Sequence, residues 1–144
     1  MFSPNLFSGQ VALITGGGTG IGFGIASLLG ELGAHVALAS RKRERLDKAV
    51  AELGGRGHSA SAHELDVREP DRVRETVNTV REAWGRIDLL VNCAAGNFYA
   101  PSDTLTPNAW RSVVEIDLYG TFYCSQAVQP VMREQGGGNI VYIS

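Results

Sequence analysis

Apolar and polar positions along this chain follow two alternating periods. Val11 to Ile14 is a short apolar run of strand length that leads into "TGGGTGIG". Ile21, Ile25, Leu28, Leu29 and Leu32 then fall at helical spacing, and Gly33 supplies a stop. Ala34 to Ala39 reads as a second strand. Arg45 to Leu53 reads as a charged amphipathic helix ended by Gly54 and Gly55. His58 to Leu65 is a weaker third strand, followed by Asp66. Pro70 suits a first helical turn, and Asp71 to Trp84 places Val73, Val77, Val80 and Trp84 on one face. Ile87 to Val91 is a fourth strand, and "NCAAGNFYAPSD" is a loop. Thr106-Pro107 opens a long helical stretch toward Gln135, expected to bend near Gly120. A glycine turn at 136–138 precedes a fifth strand, Asn139 to Ile143.

Strands separated by helices predict an α/β fold: a Rossmann-type, doubly wound parallel sheet with right-handed crossovers. In such sheets ligands bind beyond the carboxyl ends of the strands, so the loops that follow strands are the candidate site. No repeat, linker or low-complexity segment divides residues 1–144, which read as one unit. Finished domains rarely stop in mid-strand. The expectation is therefore the N-terminal part of a larger single-domain protein, truncated after the fifth strand.

Composition narrows the function classes. A chain of 144 residues with 44% apolar and 19% charged residues can bury a globular core. A net charge of −2 gives no global attraction to nucleic acid or to a membrane surface, and "RKRERL" alone does not overturn that. No apolar run reaches the roughly 18 residues of a membrane span. "MFSPNLFSGQ" lacks a signal peptide's basic start and apolar core, which makes the cytoplasm the expected location. Cys93 and Cys124 lie in apolar stretches and read as packing residues. His35, His58 and His63 sit on different elements without metal-ligand spacing, so no metal is expected. Trp84 and Trp110 read as helix packing.

The 18 glycines are the least ordinary feature, and they cluster at 16–24, 54–57 and 136–138. Between a strand and a helix, "TGGGTGIG" allows a tight turn and close approach of backbone amides to a pyrophosphate, helped by the helix dipole. A P-loop would need a lysine at the helix start, and Ile21-Gly22-Phe23 offers none. A tight turn without a ligand is the alternative.

The pattern T-G-x-x-x-G-x-G resembles the short-chain dehydrogenase/reductase family. The resemblance implies that Gly16, Gly20 and Gly22 line a dinucleotide, with Gly18, Thr19 and Ile21 among them, and that Thr15 holds the loop by hydrogen bonding. In such folds an acid after the second strand accepts the ribose 2′-hydroxyl of NAD, whereas an arginine meets the 2′-phosphate of NADP. Here Ser40 stands in the acid's place and Arg41, Lys42 and Arg43 follow, so NADP(H) is the expected cofactor, with Ser40 and Arg41 as its ligands. A solvated basic helix start is the alternative. By the same resemblance Asp66, with Val67 after it, binds the adenine amino group; a helix-capping aspartate is the other reading. "NCAAG" resembles the family's N-A-A-G turn, in which Ala94, Ala95 and Gly96 admit adenine and ribose and Asn92 braces the sheet.

The family's catalytic Tyr-x-x-x-Lys is not in this chain, whose last lysine is Lys48. Ser144 falls about one position short of the usual catalytic serine. "VVEIDLYGTF" carries Asp117 where the family usually has asparagine, and Gly96-Asn97-Phe98 extends the N-A-A-G turn. Both features resemble the 2,4-dienoyl-CoA reductases, especially the peroxisomal-type branch. That resemblance implies reduction of a 2,4-dienoyl-CoA by NADPH during breakdown of unsaturated fatty acids, in the complete protein. Asp117 would orient a water or help protonate the dienolate, which for an acid calls for burial or a like charge. Asn97 and Phe98 would stand at the substrate mouth. A polar residue at a helix kink, and plain loop packing, are the respective alternatives. Other reductases of the fold, such as 3-oxoacyl-carrier-protein reductase, and an inactive dinucleotide-binding fragment remain as competing functions. The resemblance also implies a homo-oligomer built on the long helical stretch, and a peroxisome as the alternative location.

Overall fold

The computed structural model describes residues 2–144. Its elements run β1 (Val11–Thr15), α1 (Gly20–Glu31), β2 (His35–Ser40), α2 (Arg43–Gly55), β3 (Ala60–Glu64), α3 (Pro70–Trp84) and β4 (Leu89–Asn92). Then come α4 (Pro107–Val114), a π-helical turn (Glu115–Gly120), α5 (Thr121–Glu134) and β5 (Asn139–Tyr142).

The strands form one parallel sheet in the order β3-β2-β1-β4-β5. The order reverses at β1, where Leu13 pairs with Ala37 on one side and Leu90 on the other. β1 is buried throughout, as expected of a central strand covered by helices on both faces. The pleat sends alternate side chains to opposite layers. Leu13, Ala37 and Leu90 face Val73, Val77 and Val80 of α3 and Cys124 and Val128 of α5. Ile14, Val36, Leu38 and Val91 face Ala26 and Leu29 of α1 and Leu46 and Leu53 of α2.

Two polar clamps fix the lower edge. Asp88 Oδ2 accepts the Val11 amide at 2.9 Å while Arg86 forks onto the same carboxylate. Gln135 bonds both backbone groups of Ile87, which ties the end of α5 to the entry of β4.

The irregularity expected near Gly120 is the π-helical turn that ends there. Its cause is in the spacing. Ile116, Gly120, Cys124 and Val128 are all buried and lie four residues apart. In an α-helix such a repeat drifts by about 40° per step, about 120° over three steps. One turn widened by a residue removes about 100° of that drift and keeps the four positions facing the sheet.

Two readings need correction. Trp110 does not pack into the helix layers: it is 61% exposed on α4. Trp84 is 43% exposed, and its contact is a stack on His35 with ring centroids 3.4 Å apart. Cys124 is a core residue, and Cys93 is half-buried in the loop after β4.

Candidate dinucleotide site

At the carboxyl end of β1 the chain turns sharply. Gly16 adopts φ +67°, and a Cβ there would lie 2.7 Å from the Cys93 carbonyl oxygen. Gly22, one turn into α1, would put a Cβ 2.5 Å from the Gly16 carbonyl oxygen. Any side chain at either position would wedge the loop from β4 or lift α1 from its own entry. Thr19 is the extended N-cap of α1, and its side chain makes no capping bond. The first amides of α1 are thus left for another acceptor, an arrangement suited to an anion.

Thr15 is buried at the end of β1, where Oγ1 accepts the amides of Cys93 and Ala94, each at 3.1 Å, and faces the Val91 carbonyl at 3.4 Å. This one hydroxyl joins the glycine loop to the turn after β4.

A cleft at this end of the sheet is bounded by Gly16, Gly18 and Thr19 on the loop, by Ser40 and Arg41 after β2, and by Leu65, Asp66 and Val67 after β3. Ala94 and Ala95 after β4, with Ile116 from the π turn, close the far side. Four separate sequence segments therefore meet in one space. Gly20, Ile21 and Gly22 lie outside its lining. Gly22 supports the loop from behind, and Ile21 is exposed.

The basic run after β2 splits into two groups. Arg43 pairs with Asp47 at 2.8 Å and Lys48 with Glu44 at 3.2 Å, both exposed pairs along α2. Among the described residues Arg41, Lys42 and Arg45 have no carboxylate partner, and all three line the cleft beside Ser40. Arg45 was missed in the sequence because it stands beyond the strand end. The signal available was its place one helical turn after Arg41.

Asp66 is not a helix cap; the N-cap of α3 is Glu69. Instead, Arg68 forks onto Asp66, with Nε 2.9 Å from Oδ1 and Nη2 2.5 Å from Oδ2. The Arg68 side-chain bond is the main reason the Asp66 carboxyl sits below the usual carboxylate range. Burial opposes it, and Arg41 adds attraction. The cleft thus holds an ionised acid among several cations.

Asn92 is buried at the end of β4, and Nδ2 donates to Ser125 Oγ at 3.3 Å. Its Oδ1 has no partner among the described residues. Gly96, at the close of the turn, donates its amide to Asp117 Oδ1 at 2.8 Å. Asp117 is exposed on the π turn, so the burial expected around it is not present. Asn97 and Phe98 are exposed and lie outside the cleft lining, Phe98 at 53%. Among the described residues no cluster of metal-ligating side chains is found, and no helix is long and apolar enough to cross a membrane.

Comparison with known proteins agrees with this architecture. Residues 10–144 match the protein family described as "short chain dehydrogenase". The chain is 42% identical over 151 residues to the peroxisomal 2,4-dienoyl-CoA reductase [(3E)-enoyl-CoA-producing] of Arabidopsis thaliana, an alignment covering 99% of this chain and 51% of that protein. It superposes with a TM-score of 0.92 on a citronellol catabolism dehydrogenase from Pseudomonas aeruginosa PAO1, at 37% identity, covering 99% of this chain and 58% of the other. A metagenomic short-chain oxidoreductase solved in complex with NADP gives a TM-score of 0.89 at 36% identity, over 96% of this chain and 63% of its own. The chain spans about half the length of the curated relatives it matches. With the family match running over residues 10–144 and the parallel sheet superposing on solved members, the chain belongs to the short-chain dehydrogenase/reductase family of oxidoreductases.

Proposed function

We propose that the complete protein is an NADPH-dependent 2,4-dienoyl-CoA reductase acting in unsaturated fatty acid degradation, and that residues 1–144 form its cofactor-binding part. The observation that carries the cofactor choice is the Ser40 end of the cleft. Arg41 and Arg45 stand there without carboxylate partners, and no acid occupies the position that would repel a 2′-phosphate.

The residues present fit the dinucleotide. The bare backbone at Gly16 and the open amides at the start of α1 would face the pyrophosphate. Asp66, held by Arg68, would accept from the adenine amino group, and Val67, Ala94 and Ala95 would flank the base and ribose. When bound, NADPH supplies a hydride. On this chain, Asp117 is the group proposed to steer the balancing proton. Gly96 fixes Oδ1, and Oδ2, which has no hydrogen-bond partner among the described residues, is free to accept from a proton-relaying water. Asn97 and Phe98, exposed beside Gly96, would meet the thioester and diene. The substrate class rests on Asp117, on the Gly96-Asn97-Phe98 extension and on the printed activity of the Arabidopsis relative.

The exposed Trp110, Leu118 and Phe122 on the long helical stretch support a homo-oligomer. The cytoplasm is our proposed location, with the peroxisome, in the relative's name, as the alternative. The test is direct. The chain should bind NADPH more tightly than NADH, and the complete protein should oxidise NADPH with a 2,4-dienoyl-CoA. NADPH oxidation with a 3-oxoacyl thioester in place of the dienoyl-CoA would assign the ordinary carbonyl reductase reaction instead.

A further inference from the structure

Asp117 is placed by contacts on both sides of the π turn, and each uses a glycine as a seat for a cleft-lining side chain. On one side Ile116 lies over Gly96: a Cβ at Gly96 would be 2.8 Å from Ile116 Cδ1. On the other, Val67 lies over Gly120, where a Cβ would be 2.4 Å from Val67 Cγ2 and 2.9 Å from Val67 Cβ. Gly120 has φ −59° and ψ −43°, ordinary helical values that any residue adopts. Its glycine is therefore required for close approach and not for backbone freedom. Both Ile116 and Val67 line the cleft. Between them sits Asp117, with Oδ1 2.8 Å from the Gly96 amide nitrogen.

We propose that Val67 and Gly120 are a positioning pair: their contact sets the register of the π turn and so delivers the Asp117 carboxylate to the Gly96 amide. Ile116 and Gly96 complete the seat. The pair acts through Asp117 and touches no reacting atom itself. The inference deepens the reading of Asp117 given above, but the placement can be read without turnover.

The experiment follows the Gly96 amide by ¹⁵N–¹H correlation spectra of the 144-residue protein. An amide proton donated to a carboxylate resonates downfield of one that is not, so the Gly96 signal should carry a downfield shift from its bond to Asp117. Asp117→Ala should abolish that shift and identify its source. Gly120→Ala should reduce its amplitude at least twofold, and so should Val67→Ala, which removes bulk and spares the fold. The double variant V67G/G120A moves the missing Cβ from one side of the contact to the other and should recover most of the amplitude. An unchanged Gly96 shift in V67A overturns the proposal, as does a folded double variant that behaves no better than G120A. If these shifts behave as expected while the complete protein fails to reduce a dienoyl-CoA, the positioning stands and the assigned reaction falls.

Discussion

Thr15 ends β1 and Ala94 lies in the turn after its parallel neighbour β4, 79 positions along the chain, and one threonine oxygen joins them. The same Oγ1 also accepts from Cys93, so two turn amides depend on a single buried hydroxyl. Replacing Thr15 by valine keeps the shape and strands both donors. Unmade buried bonds cost about 1–3 kcal/mol, and a loss of that size is expected for T15V. Urea unfolding should show a lower midpoint at unchanged slope.

The glycine seats predict a sharper loss of binding than of fold. Gly16→Ala forces a Cβ into the Cys93 carbonyl at a backbone angle of +67°. The loop must move outward, into the space a pyrophosphate would take. NADPH binding by G16A, followed through nicotinamide fluorescence, should weaken at least about tenfold, the equivalent of 1.4 kcal/mol.

Cofactor choice is tested by charge. Charge-assisted hydrogen bonds contribute about 1.5–3 kcal/mol each, so Arg41→Ala or Arg45→Ala should weaken NADPH binding roughly 10- to 100-fold. NADH, which has no 2′-phosphate, should bind each variant about as it binds the parent. Ser40→Asp should invert the preference, because it places a carboxylate where the phosphate would lie. Equal losses for both cofactors would count against the assigned phosphate contact.

Acid stability should depend on a chain of imidazoles and hydroxyls at the β2–β3 edge. His35 bonds Ser59 through Nδ1 at 2.8 Å and Ser61 through Nε2 at 3.0 Å, and Ser61 bonds His63 at 2.9 Å. Burial first, and then His63, pull the His35 pKa down from 6.5 to about 4. His63 is lowered too, by burial and by Arg43. A folded-state pKa below the unfolded one means that the unfolded chain binds the extra protons. Stability is therefore full above pH 6.5 and declines as pH falls toward 4, with His35 contributing at most about 3 kcal/mol of that decline. Melting temperatures measured across that range should fall less for His35→Gln than for the parent, although H35Q starts lower at neutral pH.

Much of this was legible in the sequence, and the rest was hidden for identifiable reasons. Strands buried on both faces write unbroken apolar runs, so β1, β2 and β4 could be read directly. β3 is an edge strand with polar Ser61 and His63, and its start lies at Ala60, two residues after the expected His58; β4 likewise starts at Leu89, two residues after the expected Ile87. Motif residues after β1 and β4 were visible because the ligand-facing turns are local. The Arg68 grip on Asp66, the role of Arg45 and the bond from Gly96 to Asp117 depend on where side chains turn after the chain has folded. The strict four-residue repeat from Ile116 to Val128 did contain the π turn, but it reads as an ordinary helix unless its angular drift is summed.

The strand order bears on how the protein is made. β1 is finished at residue 15, yet one of its two neighbours, β4, is not complete until Asn92. A ribosome exposing the chain from its N-terminus can offer β1 only β2 as a partner while α2, β3 and α3 are being synthesised. During that interval the Leu13 edge is open, and the glycine turn has neither Cys93 nor Ala94 to hold. Pairing across such a separation is slow compared with local contacts. The nascent chain should therefore need protection over this stretch, and the nucleotide pocket forms only once the turn after β4 has emerged.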